Sequence, residues 1–91
     1  MIVRWSQEAA EDLRQIFDYI RNDRPESAER VINEIYVRAR GLVDFPKRGR
    51  TGRVAGTCEL ALTRLPYIVI YRESPVLVEI AKILHGAQRW P

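Results

Sequence analysis

Apolar side chains along the first half of the chain recur at intervals of three and four. Ala9, Leu13, Ile16, Phe17 and Ile20 mark one face, while Glu8, Glu11, Asp12, Gln15 and Asp18 fall mostly between them, the signature of an amphipathic helix. Ser6 stands just before it as an N-cap, because its hydroxyl can accept from a first-turn N–H that has no partner inside the helix. The acidic residues of the first turn also suit the positive end of the helix dipole. Ahead of Ser6 the short apolar run Ile2-Val3-Arg4-Trp5 predicts a first strand. Asn22-Asp23-Arg24-Pro25 breaks the helical pattern, with Pro25 suited to the first position of a second helix, where a missing N–H is harmless. A second apolar stripe of Ala28, Val31, Ile32, Ile35, Ala39 and Leu42 follows, and Asp44-Phe45-Pro46 ends it. So short a connection between two helices predicts an antiparallel hairpin.

In the second half the period drops to two. Cys58-Glu59-Leu60-Ala61-Leu62 alternates, which predicts a strand with Cys58, Leu60 and Leu62 on one side. Tyr67 to Tyr71 and Val76 to Leu84 are rich in β-branched and aromatic residues and predict a hairpin whose turn is Arg72-Glu73-Ser74-Pro75. Pro66 and Pro75 fit the beginnings of these strands, since proline has no N–H to give to a ladder. The second strand is apolar on both faces, with Val76, Val78, Ile80 and Leu84 pointing one way and Leu77, Ala81 and Ile83 the other, which predicts a central position. Lys82 belongs to the first face and His85 to the second, so the two point apart unless a bulge intervenes. The order is β-α-α-β-β-β: an α+β fold in which residues 1–91 form a single domain, an N-terminal helical hairpin covering one sheet face.

Charge changes this picture more than composition does. Residues 6–45 hold six basic and nine acidic side chains, whereas residues 47–91 hold eight basic and three acidic, so a net charge of +3 conceals a cationic C-terminal half. Such a field suits nucleic acid or an acidic protein partner. Lys47, Arg48, Arg50 and Arg53 sit with Gly49 and Gly52 in a loop expected to be mobile and exposed; with Lys82 they are the candidate cations for binding nucleic acid or an acidic protein partner. A plain charged turn is an equal reading of that loop, and no GxxxxGK[ST] pattern supports a nucleotide-binding P-loop. One His and one Cys cannot supply a metal site, and no cofactor is expected. A lone Cys58, an N-terminus without a signal-peptide core and no apolar window of membrane length lead to the expectation of a cytoplasmic protein with no membrane partner. Arg48, Arg50, Arg53, Arg64, Arg72, His85 and Arg89, with Tyr67 and Tyr71, compose a set that could cleave RNA without metal: a base activates the 2′-hydroxyl and cations stabilise the phosphorane. Structural roles for the same residues stay open, with His85 bonded to backbone and the tyrosines in the core.

Five segments together carry a family resemblance: WSQEAAEDLRQIFDYI at 5–20, FPKRGR at 45–50, GTCEL at 56–60, LPYIVIYR at 65–72 and IAKILHGAQRWP at 80–91. The chain resembles the RelE/ParE superfamily of toxins from bacterial type II toxin–antitoxin pairs. The resemblance implies a helical hairpin on a strongly curved antiparallel sheet and a cognate acidic antitoxin that wraps and neutralises the toxin. It also implies one of two targets. RelE-like members cut mRNA on the ribosome, and here Arg64, Arg72, His85 and Arg89 would be the catalytic set. ParE-like members poison DNA gyrase and perform no chemistry, with the solvent face of the helical hairpin and the C-terminal tail as contacts. The ending His85-Gly86-Ala87-Gln88-Arg89-Trp90-Pro91 is more similar to the ParE type, although Gln88 stands where many relatives carry Arg. Cys58 stands where Arg is common, which leaves an inactive, antitoxin-binding relative as a third expectation.

Overall fold

The computed structural model describes residues 1–90; Pro91, the end of the tail motif, lies outside the described residues. Strand β1 (Ile2–Trp5) leads into helices α1 (Gln7–Asp23) and α2 (Pro25–Arg40), followed by a 3-10 turn at Gly41–Val43. Four strands complete the chain: β2 (Arg50–Thr51), β3 (Cys58–Ala61), β4 (Tyr67–Glu73) and β5 (Leu77–His85). They form one sheet in the order β1-β5-β4-β3-β2.

Local chemistry explains the helix boundaries. Ser6 is extended, with φ −68° and ψ 161°, and its Oγ accepts the N–H of Ala9 at 3.0 Å. The same hydroxyl donates to the Ala81 carbonyl at 2.9 Å, so the cap also ties α1 to β5. Pro25 opens α2 directly after α1 ends, and the two helices pair as a hairpin. Ala9, Ile35, Ala39 and Leu42 pack on Leu60, Leu62, Tyr67, Val69, Tyr71, Val78, Ile80 and Ile83 of the sheet side. Each large side chain fully buried here contributes about 1.5–3 kcal/mol.

Three features depart from the expected pattern. First, the basic loop contains β2, which pairs antiparallel with β3, Arg50 opposite Glu59 and Thr51 opposite Cys58. Second, the sheet is antiparallel except at β1, which runs parallel to β5. A parallel pair needs a long connection, and here the helical hairpin and β2–β4 all lie between β1 and β5. Third, the β4–β5 ladder slips. Tyr71 pairs with Ile80 but Ile70 pairs with Lys82, so Ala81 bulges out.

The bulge corrects the expected faces of β5. Ile83 joins Val78 and Ile80 on the helix side, whereas Leu84 turns to the far face. Lys82 and His85 both follow the bulge and still alternate. Its position has a physical cause: β1 ends at Trp5, opposite Ile80, and beyond that point β5 has lost its neighbouring strand. Helix α1 supplies substitutes, because Ser6 satisfies the Ala81 carbonyl and Asp12 Oδ2 accepts the Ile83 N–H at 3.0 Å. On the far face Ile70 and Leu84 are also buried, so part of that face is shielded from water.

Candidate functional site

The basic loop is held at both ends. Tyr71 Oη donates to the Pro46 carbonyl at 2.7 Å and accepts the Gly49 N–H at 3.0 Å. A Cβ at Gly49 would stand 2.6 Å from that hydroxyl and 2.8 Å from the Glu59 carbonyl, so the close approach requires glycine. Glu59 then organises the other end. It is 2% exposed, and its carboxylate accepts from the Arg53 backbone N–H and Nε, each at 3.0 Å, and from Arg53 Nη2 and Arg50 Nη2, each at 3.2 Å. Burial alone would push the Glu59 carboxyl up; the hydrogen bonds from Arg53 and Arg50 outweigh it and hold the group below the ordinary carboxylate value. Lys47 pairs with Glu73 at 2.9 Å, and the Arg48 guanidinium lies 4.8 Å from the Phe45 ring centroid. The loop expected to be mobile is therefore pinned, because three of its four cations have anionic partners within the fold and the fourth rests on an aromatic ring.

Arg72 belongs to the far face, between the core residue Tyr71 and the strand end. It stands across from Glu79, 3.9 Å away, and Glu79 also receives Arg4 of β1 at 3.3 Å. This is an exposed row of three charges, worth at most about 1 kcal/mol per pair.

The opposite end of the hairpin gathers different residues. His85 lies across from Tyr67, their rings in an edge-to-face contact at 5.6 Å and 90°. His85 Nδ1 accepts the Ala87 N–H at 3.1 Å, the His85 N–H donates to Gln88 Oε1 at 2.6 Å, and the Gln88 N–H returns to the His85 carbonyl at 2.9 Å. Gly86 N–H donates to the Pro66 carbonyl at 2.7 Å, tying the tail to the β3–β4 loop. In that loop Arg64 adopts φ 69°, in the left-handed region that disfavours side chains, and it is exposed, as is Arg89 in the tail. Lys82 is mostly buried against Asp12 at 3.3 Å and Glu8 at 3.4 Å. Beside Tyr67 and His85, a cleft of about 270 Å3 opens between α1 and the end of β5.

The structure thus brings His85 together with Tyr67 and Gln88 and leaves Arg72 apart. Tyr67 and Arg72 are five residues apart on β4, about 17 Å along a strand, and Arg72 and His85 emerge on opposite faces. Among the described residues, no three His, Cys, Asp or Glu side chains gather as metal ligands. Cys58 is half-buried and packs against the helix-side core. Sequence reasoning missed Glu59, Asp12 and the Tyr71 hydroxyl. The available signal was polarity out of place: Glu59 interrupts an apolar strand, and Asp12 sits directly before core-facing Leu13.

Outside these sites, a groove of about 600 Å3 runs along the helical hairpin between Phe17 and Tyr36, with Ala28 and Ile32 within it. Tyr36 stacks on Trp5 at 5.9 Å and 7° while keeping part of its ring exposed. No described helix is long and apolar enough to cross a membrane.

The sequence profile described as ParE toxin of type II toxin-antitoxin system, parDE, matches residues 3–90. Protein Y4kP of Sinorhizobium fredii is 40% identical over 89 residues, which span 98% of this chain and 92% of that protein. Toxin RelE2 of Caulobacter vibrioides is 35% identical over 86 residues, 94% of this chain and 96% of the toxin. Among solved structures, a chain of the chromosomal ParDE TA system from P. aeruginosa superposes with a TM-score of 0.85 at 28% identity, covering 93% of this chain and 95% of its own. With a profile spanning nearly every residue and relatives of matching length, the chain belongs to the ParE toxin family of type II toxin–antitoxin systems.

Proposed function

We propose that the chain inhibits growth by binding DNA gyrase in the cytoplasm, through its surface and without chemistry of its own, until a cognate antitoxin neutralises it. The observation that carries this reading is that Arg72, one of the four groups a nuclease would need, stands on the far face, apart from His85. Arg72 is held by Glu79 on the far face, Arg50 and Arg53 by Glu59, Lys82 by Asp12, and His85 lies at the other end of the hairpin. Groups that must converge on one phosphate within hydrogen-bond reach are instead spread over two faces. The helical-hairpin groove and the tail from Gly86 are the proposed gyrase contacts. The outward parts of Lys47, Arg48, Arg50 and Arg53 offer an acidic antitoxin segment a cationic edge, where steering would fall with added salt.

The test is supercoiling of relaxed plasmid by purified gyrase with and without excess toxin. Inhibition that disappears when antitoxin is added supports the proposal; undiminished supercoiling at saturating toxin rejects it. In cells, incorporation of labelled thymidine should fall before that of labelled methionine.

A second reading is ribosome-dependent mRNA cleavage. It draws on the 35% identity to a protein named Toxin RelE2 and on the exposure of Arg64, His85 and Arg89 near one end of the molecule. Under it methionine incorporation falls first, and His85→Ala and Arg64→Ala abolish toxicity.

A further inference from the structure

The cleft beside His85 shares Gln88 with the proposed gyrase-contacting tail, but its interior is not used by the proposal above. Its floor is apolar, from Ile16 and Ile83, and its rim is polar, from Gln15, Tyr19, Tyr67, His85 and Gln88, with Asp12 at one side already accepting from Lys82 and the Ile83 N–H. The hydrogen-bonding groups of that rim are half used. Because His85 Nδ1 accepts from Ala87, the neutral ring carries its proton on Nε2, where it is available to a ligand. Gln88 Oε1 is taken by the His85 N–H, which leaves the amide NH2 free to donate. Gln15 Nε2 is directed at Glu11 at 3.5 Å, which leaves its carbonyl as an acceptor.

Tyr67 supplies the fourth group. It is 7% exposed, and its hydroxyl has no hydrogen-bond partner among the described residues, where Trp5 Nε1 is the one side-chain polar atom both buried and unpartnered. The Tyr67 hydroxyl therefore reaches solvent from a side chain that is otherwise enclosed. Burial nevertheless raises its pKa, so at neutral pH it stays protonated and can both donate and accept. Among the described residues no Lys or Arg lines the cleft, and the cation on β5, Lys82, is committed to Asp12 and Glu8.

We propose that this cleft binds one planar nitrogen heterocycle of nucleobase type, seated on Ile16 and Ile83 and read along its edge by Tyr67 Oη, His85 Nε2 and the side-chain amides of Gln15 and Gln88. A phosphate or carboxylate finds no cation there. A phenol or indole side chain brings a single polar atom and leaves most of the rim unsatisfied, whereas a base edge presents several donors and acceptors in a row. The volume of about 270 Å3 is small for a ligand pocket and admits one ring system, not a stacked pair. The base can belong to a free nucleoside or be unstacked from a single strand, and the assignment does not depend on whether the toxin acts on gyrase or the ribosome.

The experiment is an NMR titration of the purified chain with adenosine, guanosine, cytidine and uridine, with N-acetyltryptophanamide as an aromatic side-chain control. At least one nucleoside should give saturable shifts at the His85 imidazole and the Gln15 and Gln88 side-chain amides, binding should weaken about fivefold or more in Tyr67→Phe, and the control should bind less tightly. A second variant, Gln88→Ala, reports on the same rim from the exposed tail, so a folding defect in one does not decide the matter. Absence of saturable shifts up to about 10 mM nucleoside, affinity unchanged in both variants, or a control that binds as tightly as the best nucleoside would overturn the proposal. A short single-stranded oligonucleotide then separates the sources: the same shifts at tenfold or greater affinity assign the site to a base within a strand, and equal affinity assigns it to the free nucleoside.

Discussion

Tyr67 and Tyr71 lie on the same strand, point to the same side and share the same core, yet they do opposite things. Tyr71 is 0% exposed and uses its hydroxyl twice, on the Pro46 carbonyl and the Gly49 N–H. Tyr67 is 7% exposed and uses its hydroxyl on no described residue. The same contrast holds for the charges around them. Near Tyr71 the buried Glu59 draws in Arg50 and Arg53, whereas around Tyr67 the rim holds half-satisfied neutral groups beside Asp12, whose charge is already met by Lys82. One end of the sheet has its polar groups saturated, which fixes a loop; the other leaves valences open, which is what recognition needs.

The largest effect that would break this contrast is loss of Glu59. Glu59→Ala removes the acceptor of the Arg53 backbone N–H and both guanidinium groups, and stability measured by denaturant unfolding should fall by about 2–3 kcal/mol. That is less than the ~3–5 kcal/mol of a fully buried pair, because both arginines keep access to water. Next is Tyr71→Phe, which strands the Pro46 carbonyl and the Gly49 N–H and should cost about 1–3 kcal/mol. The pH dependence of stability sharpens the same point. The Glu59 carboxyl is held low in the fold, so its contribution is complete above the unfolded value of about 4.3 and is lost as pH falls through the folded value. The drop in stability between pH 5 and acid should accordingly be shallower in Glu59→Gln than in the natural chain. Tyr67→Phe should change stability by less than about 0.5 kcal/mol, since no bond within the fold is lost. Arg72→Ala should be equally mild, within about 0.5 kcal/mol, because the guanidinium is half in water and its partner lies 3.9 Å away. If Tyr67→Phe proved as damaging as Tyr71→Phe, the distinction between the two ends would fail.

Much of the architecture is legible in the sequence alone. The two apolar stripes, the Ser6 cap and Pro25 place both helix starts and the break between them within a residue or two, although the second stripe runs past the end of α2 at Arg40 into the 3-10 turn, and Tyr67 to Tyr71 lies wholly inside β4. The central place of β5 followed from its two apolar faces. The site was less legible. The expected face assignment of β5 was wrong after Ile80, because a period of two cannot register one extra residue. The loop from Lys47 to Arg53 read as free charge because its anchors, Glu59, Tyr71 and Glu73, lie between 6 and 26 residues further along the chain.

The division has a physical basis. Helix periods, caps and breaks depend on groups within one or two turns of each other, so the sequence by itself determined the two helices, the longer strands, their order and the side each helix buries, but not the short β2. Which carboxylate meets which guanidinium, where β5 bulges and which tyrosine hydroxyl is left unpaired depend on contacts between residues far apart in the chain. The pairing of Ile83 with Asp12 spans 71 residues, and it exists because β1 stops four residues in and leaves an edge that α1 has to satisfy. Those choices were decided by the tertiary structure alone, and they shape both the pinned basic loop and the open cleft.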